Sequence, residues 1–238
     1  MQVLSIKNQN DRVSKRIESD LEGLDVLIDV VDPLESGDLH NEILEIFSRR
    51  HILKPSSLSK KEFIRNFTDS ANQALINRGI DPIVSDIYVE NVIGELIEYK
   101  EKGIYDFFQP QKAQDPSKFL SYLGQKGVIT RNEIEETQKL LILVKTDISR
   151  LKSRCLLVTL QNTPEEEQSI KVVRTADVAR GSAKFWDLKG EHEAEFTCIA
   201  RDIGLILADL LGALVGGVIG AAIFSIAFII TWWLLENE

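Results

Sequence analysis

From Leu210 to Leu235 the chain runs 26 residues without Asp, Glu, Lys, Arg or His. No other feature restricts the fold as much. A helix rises about 1.5 Å per residue, so this run reaches about 39 Å, more than the roughly 30 Å hydrocarbon core of a bilayer. Buried helices of soluble domains are usually shorter and rarely go so far without an ionisable group. The run therefore predicts a C-terminal transmembrane helix. Trp232 and Trp233 fall where an aromatic belt meets the membrane–water interface, and Glu236 begins the polar exit. Asp209 reads as an interfacial residue at the other boundary, with a membrane-facing carboxylate that pairs or titrates as the alternative.

A second topology competes. The apolar run can be taken from Ile203, and Gly216–Gly217 can turn it into a hairpin. Each arm is then about 15 residues, short of the roughly 20 a crossing needs, and the turn amides would have to be hidden from lipid. The straight span accounts for the length better.

Small residues are not scattered along this run. Gly204, Ala208, Gly212, Gly216 and Gly220 stand four apart, and Ala213, Gly217, Ala221 and Ser225 form a second column beside them. On a helix the two columns make a groove that lets another backbone approach. Close packing is what drives helix association where lipid removes the hydrophobic gain. The pattern predicts self-association or packing on a partner helix. Ser225 is expected to bond to its own helix backbone.

The stretch ADLLGALVGGVIGAAIFSIAF, residues 208–228, resembles the glycine-zipper segments of bacteriocin-like and other membrane-inserting bacterial proteins. The resemblance implies helices that pair in membranes and, in some members, permeabilise them. The large charged body preceding it is not a feature of the peptide bacteriocins.

That body holds all 28 basic residues and all but three of the 37 acidic ones. An acidic balance, net −9 for the 238 residues, excludes a chain built to grip nucleic acid, which needs a concentrated basic face. Cys155 and Cys198 are too few and too far apart for a disulfide framework or a metal knuckle. The first twenty residues contain no apolar core of the length a secretory signal needs. Arg180, Lys184, Lys189 and Arg201 lie on the near side of the apolar run with no basic residue beyond it, which places the body in the cytoplasm.

The body reads as successive helices. Ile17, Leu21, Leu24, Ile28 and Val31 form one apolar stripe over 9–31, ended by Pro33, and Leu39, Ile43, Ile46 and Phe47 face inward over 38–50. Ser59 and Glu62 fit a capping box that opens a helix closed at Gly79. Asp81–Pro82 and Asp115–Pro116 open helices over 82–102 and 116–126, closed by Gly103 and Gly127. Thr130 and Glu133 form a second box and open the longest helix. Ile134, Leu141, Ile148 and Cys155 are spaced by sevens there, with Thr137, Val144, Leu151 and Val158 three residues later. Leu140, Ile142 and Leu143 widen that face beyond a coiled-coil seam, which favours the central helix of a bundle. Residues 161–200 read as a hinge or amphipathic connector, broken at Gly181–Ser182 and Gly190, with Phe185 and Trp186 suited to an interface or a core.

No catalytic or metal-binding constellation emerges. His192–Glu193 begins a zinc motif whose second histidine is replaced by Phe196, and Gly181–Ser182–Ala183–Lys184 has the wrong order for a phosphate loop. His40 and His51 flank a helix without a partner motif, which suits surface or capping roles.

The expectation is an all-α protein. Residues 1–160 form a cytoplasmic multi-helix bundle, 161–202 a juxtamembrane connector, and 203–238 a glycine-rich transmembrane segment. Its expected function is non-enzymatic: a membrane-anchored protein whose glycine-ladder helix self-associates in the lipid bilayer as a homo-oligomer, without cofactor or metal. The alternative is a bacteriocin-like or defence-type effector that permeabilises membranes through the same segment.

Overall fold

The computed structural model describes residues 31–50, 59–106, 115–147, 150–151, 154–155, 167–189 and 196–236, the last with side chains over 204–228. These residues form seven α-helices and no strand, so the chain is all-α. Apart from Val31, the helix expected over 9–31 lies outside them.

Pro33 opens a single 3-10 turn, Pro33–Glu35, in which the Asp32 carboxylate accepts from the Leu34 amide at 2.9 Å. Helix α1, Ser36–Arg50, follows directly. Its Leu39, Ile43 and Phe47 are fully buried, as their spacing implies. Burying each such side chain stabilises the fold by about 1.5–3 kcal/mol. Phe47 meets Phe63 and Phe67 of α2, Lys60–Asn77, at ring separations of 5.7 and 6.2 Å. Both halves of the α2 capping box are made, and Gly79, at φ +75°, closes the helix in a conformation that glycine adopts without strain.

Helix α3, Asp86–Glu101, starts four residues later than Asp81–Pro82 suggests. The Asn72 side chain reaches across from α2, donating to the Val84 carbonyl at 2.8 Å and accepting from its amide at 2.9 Å. That pairing holds the preceding segment extended, so Ser85 becomes the cap and accepts from the Tyr88 amide. Helix α4, Pro116–Gln125, begins at the Asp115 cap as expected and packs Phe119 edge-on against Tyr99 of α3 at 5.1 Å.

Helix α5, Arg131–Thr146, opens on the Thr130–Glu133 box but is not the longest helix. It stops at Asp147, whose extended backbone (φ −164°) lets its carboxylate accept from the Arg150 amide and start a new turn. The heptad pattern therefore crosses a break, although Leu151 and Cys155 beyond it are still fully buried.

The region expected as a connector holds the middle of the bundle. Helix α6, Glu167–Lys189, passes through Gly181–Ser182 without interruption. Among its residues from Val172 to Ala183 only Arg180 is not buried. Gly181 is there for contact: a Cβ on it would lie 2.6 Å from the Gly37 Cα of α1. Helix α6 packs most extensively on α1 and on the last helix, α7, Phe196–Glu236.

Candidate functional site

Among the described residues one helix, over Gly204–Phe228 of α7, is long and apolar enough to cross a membrane. It is neither straight nor exposed. Gly216 (φ −128°, ψ 26°) and Gly217 (φ 55°, ψ −146°) leave helical geometry, the second in a region that L side chains avoid. The two flanking arms, 204–215 and 218–228, fold back on one another.

The glycine ladder measures how closely. In a straight helix Gly212 and Gly220 would stand about 12 Å apart and Gly204 and Phe228 about 36 Å apart. Here a Cβ on Gly212 would lie 2.7 Å from the Gly220 carbonyl oxygen and 2.8 Å from the Ala221 Cα. A Cβ on Gly204 would collide with the Phe228 ring. The columns meant for a second helix thus meet across one hairpin: Gly204, Gly212, Gly220 and Ala221 lie between the arms, and Gly216 and Gly217 make the turn. Ala208 and Ser225 are buried, and the Ser225 hydroxyl has no hydrogen-bond partner, its own helix backbone included. The side chains of Trp232 and Trp233 lie outside the described residues.

Four of the described helices sheathe the hairpin. Of its most apolar stretch, 83% is buried, against α6, α1, α3 and α5. At the tip the Tyr88 hydroxyl donates to the Gly216 carbonyl at 3.1 Å, satisfying a backbone acceptor that the broken helix leaves open. Burial, reinforced by the negative charge of Glu95, pushes the Tyr88 phenol pKa up and keeps it a donor. The aliphatic stem of buried Arg174 passes beside Gly217.

Midway along the first arm Asp209 is buried, not interfacial, and its environment is polar. Its Oδ2 accepts from the Ser182 hydroxyl at 2.5 Å and lies 3.3 Å from His40 Nε2, and all three side chains are inaccessible. Asp209 Oδ1 has no partner, and His40 Nε2 makes no well-aligned hydrogen bond. Burial disfavours a charged His40, but the nearby charge of Asp209 and the hydrogen bond to Asn41 outweigh it and raise the imidazole pKa. Serine, histidine and aspartate together are the residue types of a hydrolase relay, yet here the carboxylate sits between the other two. The hydroxyl faces the carboxylate rather than the imidazole, and all three side chains are closed to solvent.

A second polar contact ties α1 to α6 beside this cluster. Asp177 Oδ2 accepts from the Gly37 amide at 2.8 Å, at the positive end of α1. Burial raises the Asp177 pKa, although the Gly37 amide and Arg180 oppose it. Arg180, which the sequence places among the charges at the membrane boundary, reaches from the bundle surface to pair with buried Asp177.

The sequence shows the ladder as a face for another helix and ranks the Gly216–Gly217 turn behind a straight span, and it does not reveal the cluster. His40 and Ser182 carry no motif, and a polar residue on a helix face gives no sign of what packs over it. Asp209 is the available signal, as the sole ionisable residue between Ile203 and Leu235. No protein family, curated protein or solved structure matches this chain.

Proposed function

We propose that this is a non-enzymatic, membrane-associating helical protein that carries its bilayer-seeking segment as a hairpin sheathed by its own helices. The hairpin passes into lipid when the sheath opens. The observation that carries this reading is the 83% burial of the chain's most apolar stretch inside a charged body. Apolar surface gains about 25 cal/mol per Å² on leaving water, whether it goes into a protein core or a bilayer. Body and membrane are therefore near-equal hosts for these side chains, and a small change in the polar contacts decides between them.

Once in lipid the Gly216–Gly217 turn can become helical, and Leu210–Leu235 then spans with tilt. The charged body stays on the cytoplasmic side. The ladder released from the hairpin offers its groove to a second copy of the chain, giving a homo-oligomer. Permeabilisation, the second reading, rests on the same ladder and on its resemblance to glycine-zipper segments.

A staple tests the reading. A Cβ on Gly216 would lie 3.5 Å from Val92 Cγ2, near enough for a Val92→Cys, Gly216→Cys pair to close a disulfide between α3 and the hairpin tip. With Cys155 and Cys198 replaced by alanine, the oxidised protein should fail to float with phosphatidylcholine–phosphatidylglycerol vesicles, and reduction should restore flotation. Equal flotation before and after reduction, or none in either state, overturns the proposal. Dye release by the reduced form separates permeabilisation from anchoring.

A further inference from the structure

We infer that the His40–Asp209–Ser182 cluster is the catch that governs when the hairpin leaves the body. The inference deepens the reading of the hairpin as a bilayer-seeking segment, on which it rests, and assigns the control of its release.

Apolar contacts between the arms and the sheath are non-directional, and lipid can replace them. The contacts of Asp209 cannot be replaced in that way. A carboxylate carried into hydrocarbon loses both its water and its partners, so Asp209 favours the body over the bilayer where its apolar neighbours do not. It is also placed to resist motion. Asp209 lies on the arm that must move, whereas His40 and Ser182 lie on α1 and α6, which the Gly37–Gly181 contact and the Asp177 cap hold together.

Asn41 completes the receiving side. Its Nδ2 donates to the Gly181 carbonyl at 3.0 Å, which turns its Oδ1 toward His40 Nδ1 at 2.9 Å. Nδ1 must then carry a hydrogen. Asp209 Oδ2 lies 3.3 Å from Nε2, where a proton on that nitrogen would complete an ion pair, so the ring sits between Asn41 and Asp209. The carboxylate is held but not saturated, since Oδ1 has no partner. A buried network satisfied only in part adds little net stability, and removing one member of it is expensive. A switch needs that combination: a fastening that is specific, and weak enough to open.

The experiment reads opening and insertion separately. Hydrogen exchange of the hairpin amides is measured without lipid in the parent chain, His40→Gln, Asp209→Asn and Ser182→Ala, with Leu75→Ala in the core of α2 as a control. If the cluster is the catch, hairpin exchange rises about tenfold or more in Asp209→Asn while the amides of α2 and α4 stay protected. His40→Gln and Ser182→Ala follow in smaller degree, and Leu75→Ala does not single out the hairpin. Exchange that rises in every helix together makes the cluster an ordinary core contact and overturns the inference, as does no change at all. Should Asp209→Asn fail to fold, Ser182→Ala, which leaves the charge pair in place, decides the question by the same comparison. Flotation with phosphatidylcholine–phosphatidylglycerol vesicles then tests the destination. A hairpin that opens in Asp209→Asn and still ignores lipid upholds the catch and removes the membrane reading.

Discussion

The outer helices and the central pair are held by different physics. Helices α2, α4 and α5 each present one apolar face, begin at a side-chain cap, and turn all their charges but the capping Glu133 toward solvent. Lys139–Glu136 and Arg131–Glu135 are ion pairs of the kind that contribute little at a surface. Helix α6 and the α7 hairpin have no solvent face of comparable size. Arg174, Thr175, Asp177, Ser182, Asp209 and Ser225 are buried there, and Gly181, Gly212 and Gly220 mark places where two backbones touch. An outer helix is stabilised largely by its own sequence and one buried stripe. The central elements exist only as a mutual fit, so damage there should be larger than in an outer helix.

The sharpest test of that difference is His40→Leu. It leaves the Asp209 carboxylate buried without its cation, at a cost of about 3–5 kcal/mol, read as a fall in unfolding free energy by urea titration. Replacing both partners, His40→Leu with Asp209→Leu, should return much of the loss, because apolar side chains of similar volume need no partner. Additive losses in the double variant would mean that the two residues do not form one unit.

The same pair adds a pH axis. Burial opposes the charge on His40, but Asp209 and Asn41 raise its folded pKa above the ordinary 6.5. A raised pKa stabilises the fold fully below the unfolded value of 6.5 and ceases to do so as pH climbs through the folded one. From α1 only the uncharged Asn41 bonds to the ring, α6 presents the Ser182 hydroxyl to the shared carboxylate, and α7 supplies Asp209; Asp177 is engaged elsewhere, accepting from the Gly37 amide and from Arg180. As pH rises from about 6.5 through the raised folded pKa, the parent chain should lose stability that His40→Gln does not lose. Parallel profiles for the two proteins would remove the imidazolium from the cluster.

Gly212→Ala comes next, at about 1–3 kcal/mol. The new methyl would meet the Gly220 carbonyl at 2.7 Å, and backbone cannot turn aside as a side chain can. Gly94, on α3, has nothing within 4 Å of its would-be Cβ, so Gly94→Ala should instead stabilise the protein by several tenths of a kcal/mol. Thermal melts of the two variants should shift in opposite directions.

The same division explains how far the fold can be read from the residues. Ser59, Asp115 and Thr130 announce helix starts because a cap acts within three residues of itself. Gly79, Gly103 and Gly127 announce helix ends for the same reason. Ser85 gives no such sign, because its selection over Asp81–Pro82 depends on Asn72, twelve residues away from the Val84 it holds. Gly181 reads as a break because a glycine at a close contact and a glycine at a turn look alike until the neighbour is known. The hairpin ranks second in the sequence only on the premise that it must lie in lipid, where a bare turn is untenable. Within protein that objection lapses, since Tyr88 supplies the missing donor. Length and hydropathy describe what a segment can enter, and they are silent about whether its own chain provides the solvent.

The smallest predicted effect belongs to the outer set and bounds the comparison from below. Thr130→Ala removes the hydroxyl that accepts from the Glu133 amide at 3.3 Å and leaves the return bond from the Thr130 amide to Glu133 in place. Losing half of a capping box should cost about 1 kcal/mol. The loss should stay local: exchange should quicken in the first turn of α5, around Asn132–Glu135, while the hairpin amides of α7 keep their protection. If Thr130→Ala loosens the hairpin as much as Gly212→Ala does, the outer helices are not independent of the central fit, and the two regions are one cooperative unit.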